Sequence, residues 1–267
     1  MLLIKTVALL CSATAAMAAS AVISGAIFVG EDTTDYSADP AEIFRDPSNH
    51  AAAAASILVY SAKTTDFSPA TQEPKSLGRS LDAFVQKAAT FPGFVVIQAS
   101  DRSLTLNGSL TQFEKAIREQ LDDPLTARAF RDLIPGYIQD QSLTDWILSL
   151  IVVTKPEYSD TVNIRLARVA LTIESEGQTA YIPEQQAQLI VADHQVNAGI
   201  LLANADMFAN RIAIVSVRDF IDYFASPKVP SQNGEAQHSS TSCSKNRPIF
   251  KNQPIFRHRQ TIMSWLL

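Results

Sequence analysis

The stretch VNIRLARVALTI, residues 162–173, alternates apolar and polar positions in two phases. Val162, Ile164 and Leu166 share one face of a strand, and Val169, Leu171 and Ile173 share the other. A sheet with one face in water would not tolerate that exchange, because shifting by one residue turns the apolar set toward solvent. The pattern predicts a strand buried on both sides. A bulge near Ala167-Arg168 is expected to absorb the change of phase.

Upstream the period is helical. Asp39-Pro40-Ala41-Glu42 supplies a cap, a first-turn proline and an acid three residues on. Asp46-Pro47 starts a second helix that runs into SNHAAAAASILVYSA, where five alanines favour helix. Residues 63–75 are polar, contain Pro69 and Pro74, and read as a loop. Leu77, Leu81, Phe84, Val85 and Ala88 then fall at helical spacing.

GFVVIQAS reads as a short buried strand. LNGSLTQFEKAIREQL reads as an amphipathic helix with Leu110, Phe113, Ile117 and Leu121 in one stripe. Ser109 or Thr111 can cap it, each with Gln or Glu three residues later. Glu114–Arg118 and Lys115–Glu119 pair on its wet side. Asp123-Pro124 starts another helix carrying Leu125, Ala129, Phe130, Leu133 and Ile134, which Pro135-Gly136 stops or kinks.

From Trp146 onward Val, Ile and Thr dominate. WILSLIVVTK, TVNIRLARVALTIES, QTAYIP and QAQLIVADHQVNAGILLA are predicted strands, the last carrying Leu189 and Val191, with turns at Pro156 and Glu176-Gly177. RIAIVSV is predicted as a further strand. SVRDFIDYFAS is a closing helix with Val217, Phe220, Ile221 and Phe224 on one face. Helices fill the first half and strands the second, which points to an α+β fold with an antiparallel sheet.

The ends differ from this body. Lys5, the run TVALLCSATAAMA and Ala16-Met17-Ala18 have the layout of a secretory signal peptide cleaved after Ala18. A membrane anchor is the rival, since Thr6 to Gly30 is long enough to span. After Ser226 the chain turns polar, and its low apolar content predicts disorder. The expected organisation is a signal peptide over 1–18, a domain over 19–229 and a disordered basic tail over 230–267.

The overall charge of -5 conceals an asymmetry: from Pro227 on there are six Lys/Arg and one acid, leaving the body at -10. So acidic a body excludes a nucleic-acid binder. Of the two cysteines, Cys11 lies in the expected leader and Cys243 in the tail, so no disulfide is expected in the domain.

Chemistry is sparse. No Gly-x-Ser-x-Gly elbow, His-Glu-x-x-His site or phosphate-binding glycine loop occurs, and no cofactor, metal ligand or catalytic residue is expected. Asp193-His194 is conceivable as a dyad, with an ordinary strand-end pair as its bland alternative. His50 opens a helix at the surface. Asn107-Gly108-Ser109 is a glycosylation sequon, relevant if the chain is secreted.

The order of segments from about Ala21 to Val229 resembles the Cyt-type cytolysin family, the bacterial Cyt delta-endotoxins and the mushroom toxin volvatoxin. FVGED followed by PAEIFRDPSNHAAAAASILVYSAKTTDF looks like the family's first strand, short helix and helix into a Thr-Asp-Phe loop. FVVIQASDRSLTLNGSLTQFEKAIREQL looks like its short strand, polar turn and amphipathic helix. DWILSLIVVTKPEYSDTVNIRLARVALTIESEGQTAYIPEQQAQLIV looks like its Trp-led strand, long strand, Gly turn and Tyr-x-Pro entry into another long strand.

The resemblance implies a single three-layer α/β/α domain, with an antiparallel sheet covered by helix hairpins on both faces. Taken with the signal-peptide layout, it implies a secreted, non-enzymatic protein that meets membrane lipids, oligomerises on the target-cell membrane and permeabilises it. The membrane-contacting residues would then be Val162, Ile164, Leu166, Val169, Leu171, Ile173, Leu189 and Val191 of the strands, with Phe113, Ile117 and Leu121 of the covering helix. The alternative is a secreted, non-lytic lipid- or carbohydrate-binding protein of the same fold.

Overall fold

In the computed structural model, which describes residues 21–135, 145–176 and 179–226, six strands make one sheet. They are β1 (Ala21–Val29), β2 (Phe94–Ser109), β3 (Asp145–Thr154), β4 (Asn163–Thr172), the short β5 (Glu174–Glu176) and β6 (Thr179–Val196). The order is β1-β3-β4-β6-β2, and β5 pairs with β6. The expected leader and tail, with Cys11 and Cys243, lie outside the described residues, as does Gly177 of the expected hairpin turn.

The sheet is antiparallel from β3 through β4 and β6 to β2. β1 departs from that rule: it runs parallel to β3, from Ala21↔Trp146 to Val29↔Thr154. Parallel neighbours need a long crossover, and the helical first half of the chain provides one.

The phase change in β4 needs no bulge, contrary to the sequence-based expectation. Its register runs unbroken from Asn163 to Thr172 against β3 and from Asn163 to Ala170 against β6. Even-numbered side chains point to one layer and odd-numbered ones to the other throughout. Val162, Ile164 and Leu166 enter one core, while Ala167, Val169, Leu171 and Ile173 enter the other. The strand passes diagonally from beneath one helical cover to beneath the second. The two faces are apolar along different halves of its length.

The helices are α1 (Pro40–Arg45), α2 (His50–Lys63), α3 (Gly78–Ala89), α4 (Leu110–Leu121), α5 (Pro124–Leu133), α6 (Ala198–Ala203), α7 (Ala205–Ala209) and α8 (Val217–Phe224). Asp39 caps α1 as expected, its carboxylate accepting from the Ala41 N–H. Asp46-Pro47 begins a single 3-10 turn, after which α2 starts at His50. Every residue of α2 except Tyr60 and Lys63 is buried, the mark of a helix enclosed on all sides. Its alanines allow neighbours to approach closely.

α1–α3 and α6–α8 lie on one face of the sheet, around a core rich in phenylalanine. This is the aromatic layer. α4 and α5 form a hairpin on the other face, over Trp146, Leu148, Val169 and Leu189. Both faces are thus covered, but only the second cover is a simple hairpin.

Three further segments depart from expectation. β2 is long and lies at the sheet edge, with Val95, Val96 and Ile97 exposed. An apolar run alone does not distinguish a buried strand from an edge strand. QTAYIP and the first part of QAQLIVADHQVNAGILLA are one strand, because the β2 partner shifts register between Leu106 and Gly108, opposite Pro183, which has no N–H to offer. The end of that segment is not strand: Asn197 caps α6, its side chain accepting from the Ile200 N–H at 3.0 Å. RIAIVSV is not a strand: Ile212 is buried in the aromatic core, and the Val215 N–H donates to Ser56 Oγ at 3.0 Å instead of to a ladder. Beyond α8 the chain returns to β1. The Ser24 N–H donates to Ser226 Oγ at 2.9 Å, and the Ser226 N–H to the Ser24 carbonyl at 3.0 Å.

Candidate functional site

The strand residues proposed to meet a membrane are all buried. Val162, Ile164 and Leu166 lie in the aromatic core. Val169, Leu171, Ile173, Leu189 and Val191 lie in the hairpin core together with Phe113 and Ile117, and Leu121 packs at its margin. The structure therefore brings these residues together as two separate cores and not as one exposed patch.

The hairpin is fixed at its start by sequence signals. Ser109 Oγ accepts from the Gln112 N–H while the Gln112 side chain accepts from the Ser109 N–H, the reciprocal cap read from the sequence. Asp122 adopts a left-handed conformation, φ 49°, and closes the turn between α4 and α5. Asp123 then caps α5, its Oδ1 accepting from the N–H groups of Leu125 and Thr126 at 3.0 and 3.2 Å.

At this turn the hairpin does not close on the sheet. A cleft of about 530 Å3 opens between them, bordered by Asp123, Arg165 and Asp193. Val29, Ile97 and Leu125 also border it and are 37%, 60% and 45% exposed, so its mouth is apolar. Arg165 of β4 spans its floor. Its Nε and Nη2 donate to the two carboxylate oxygens of Asp193 on β6 at 2.7 and 3.0 Å. Its Nη1 donates to Asp123 Oδ2 at 2.6 Å. The hydrogen bond to Asp193 raises the guanidinium pKa against the opposing effect of burial. One arginine thus ties the α4–α5 turn to two strands. A second tie lies on β2, where Arg102 Nη1 donates to the Gln120 carbonyl near the end of α4.

β4 repeats the device on its other face. Arg168 Nη1 donates to Asp82 Oδ1 of α3 at 2.6 Å. Arg168 is buried, and its Nε lacks a partner. Arginines three apart on one strand point in opposite directions, and each holds one helical layer. The sequence signal was available in principle: a charge inside a doubly buried strand needs a partner.

Asp193 and His194 do not form a dyad. They are consecutive in a strand and point to opposite faces, Asp193 to Arg165 and His194 toward Phe94, with ring centroids 6.2 Å apart. His194 is 1% exposed, with neither ring nitrogen hydrogen-bonded. His50, expected at the surface, is likewise buried with both nitrogens unpartnered. Burial lowers the pKa of both imidazoles. Asn107 is exposed on β2, its Oδ1 accepting from the Tyr181 hydroxyl at 2.9 Å. Among the described residues no group of three His, Cys, Asp or Glu is placed to hold a metal ion, and no helix is long and apolar enough to cross a membrane.

No protein-family model and no curated protein matches the chain. Among solved structures it is similar to the Evf virulence factor, at 10% identity and a TM-score of 0.38, over 77% of this chain and 84% of that one. It is also similar to a delta-endotoxin, at 9% identity and a TM-score of 0.37, over 76% and 89% of the two chains. A third similarity is to the activated Cyt2Ba monomer from Bacillus thuringiensis subsp. israelensis, at 11% identity and a TM-score of 0.34, over 65% and 96%.

Proposed function

We propose that the protein is a secreted, non-enzymatic membrane-permeabilising protein that stores bilayer-crossing strands beneath removable helices. The observation that carries this reading is the burial of β4 on both faces under two separate covers. β3 and β4 have ten residues each and β1 has nine. A strand of about 9–11 residues is what a tilted membrane crossing needs.

In this reading lipid chains replace the helices as the apolar partners of the sheet. The backbone sets a further condition. The sheet ends in two edges, β1 and β2. Hydrocarbon does not satisfy open edge N–H and C=O groups, so inserted copies must join until the edges close. Self-association on the membrane follows from that requirement.

The test is dye release from receptor-free liposomes. Leakage that rises with protein concentration supports the reading. Binding without leakage refutes it and leaves a non-lytic lipid-binding protein. A second arm introduces a disulfide between α4 and β6, with Cys11 and Cys243 replaced by serine. Oxidation should abolish leakage and reduction restore it, because α4 must leave the sheet. Unchanged leakage from the oxidised form would show that α4 need not move.

A further inference from the structure

We infer that the molecule opens on one side only, by the α4–α5 hairpin lifting from the sheet at its turn, with Arg165 and Arg102 as the clasps that hold it shut. This rests on the membrane reading above and specifies which cover moves.

The hairpin has the mechanical properties of a lid. Its two helices are tied to each other by the Arg131–Glu114 ion pair, so they move as one body. Its root is held by apolar packing, through Phe113, Ile117, Phe130 and Ile134, each at most 2% exposed. Its tip is held differently. There the cleft already separates it from the sheet, and Arg165–Asp123 and Arg102–Gln120 bridge the gap. The Arg165–Asp123 side chains are each about a quarter exposed, so water can replace their contact as the tip lifts. Lifting widens the cleft toward Val191, Leu189 and Val169, the apolar face that a bilayer would then meet.

The aromatic layer lacks this design. Its clasp, Arg168–Asp82, is buried on the arginine side at 7% exposure. Its elements are tied to one another across the chain. The Val215 N–H donates to Ser56 Oγ, the Tyr223 hydroxyl donates to the Phe67 carbonyl, and Ser226 closes on Ser24. Releasing it requires several of these to break at once.

The experiment is peptide-resolved amide hydrogen exchange of the full chain at neutral pH, comparing the parent with Arg165→Gln and with Arg102→Gln/Arg165→Gln. The expected result is faster exchange of α4–α5 amides, on the order of tenfold in the double variant, with α2 amides unchanged. Asp123→Asn is the companion variant, since asparagine keeps the helix cap and removes the charge that Arg165 meets. It should act in the same direction. Quenching of Trp146, buried in the hairpin core, gives an independent readout in a Trp265→Phe background and should rise with the exchange rate.

Hairpin amides that do not respond, or α2 amides that accelerate equally, would overturn the inference. Liposome leakage measured on the same samples bears on the lytic reading instead. Faster hairpin exchange without any leakage leaves the lid in place and removes the lytic function.

Discussion

Eight buried phenylalanines lie in the core beneath the aromatic layer, and two, Phe113 and Phe130, in the core beneath the hairpin. The difference is one of connection as much as of quantity. Phe67 stacks on Phe84 at 5.1 Å, and both rings meet Phe224, at 6.3 and 5.5 Å. Phe44 and Phe91 each meet Phe208 at 5.5 Å. Such pairs add about 0.5–1.5 kcal/mol each beyond the area they bury. They also join helices distant in sequence, so the aromatic layer fails only as a unit. The hairpin joins the sheet through apolar side chains at its root, where Phe113 and Phe130 sit among aliphatic neighbours, and through arginines at its tip. On the inference drawn above, the two covers of one sheet divide their roles: one fixes the fold, and the other lifts without dissolving it.

The largest expected effect tests the aromatic layer directly. Phe84→Ala removes a fully buried ring that touches two others, and should lower global stability by about 4 kcal/mol. Urea unfolding should show a lower midpoint with an unchanged slope. A loss below about 1 kcal/mol would dissolve the contrast between the layers.

Acid should act on the same side. Ile164, the cross-strand partner of His194, belongs to the aromatic core, and His50 opens α2. Both imidazoles have lowered pKa values in the folded state. The unfolded chain therefore takes up protons first as pH falls below about 6.5, and stability declines until the folded-state values are reached. The slope is at most about 1.4 kcal/mol per pH unit for each histidine. Thermal melts at pH 7.5, 6 and 5 should show the decline, and a His50→Leu/His194→Phe variant should flatten it. An unchanged slope in that variant would assign the acid sensitivity to other groups.

Asp82→Asn weakens the partner of the buried Arg168 and should cost about 2 kcal/mol, spread over α2 and α3 together. Exchange confined to α3 would mean that this layer, too, can part locally. The smallest effect is expected on the wet face of α4. Lys115–Glu119 is an exposed pair at 3.9 Å, and Lys115→Ala should change stability by less than about 0.5 kcal/mol. A larger loss would show that the hairpin draws its stability from its surface and not from its root and clasps.

Much of this was legible from sequence because it is local. The caps at Asp39, Ser109 and Asp123, the helical stripe of α4 and the double burial of β4 all follow from spacing within a few residues. What was not legible depends on partners far along the chain. β1 lies in an apolar run that also satisfies the pattern of a leader or anchor, and the resemblance marks a strand only at its end, from Phe28. Only its pairing with β3 makes it a strand. The exposure of Val95 to Ile97 follows from the position of β2 at the edge, and Ile212 and Val215 pack on the aromatic layer instead of extending the sheet. The cleft and its clasps require Arg165, Asp123 and Asp193 to converge from β4, the hairpin turn and β6.

The reciprocal bonds between Ser24 and Ser226 place the entry and the exit of the described domain side by side. Tension applied between those two points would act across β1 and the segment after α8. The same adjacency makes the domain a natural insert: grafted into a surface loop of a host protein through these two ends, it needs only a narrow gap to sit in. Joining the ends by a short linker and cutting within residues 63–75 would give a circular permutant in which the hairpin and its clasps stay in one continuous piece of chain.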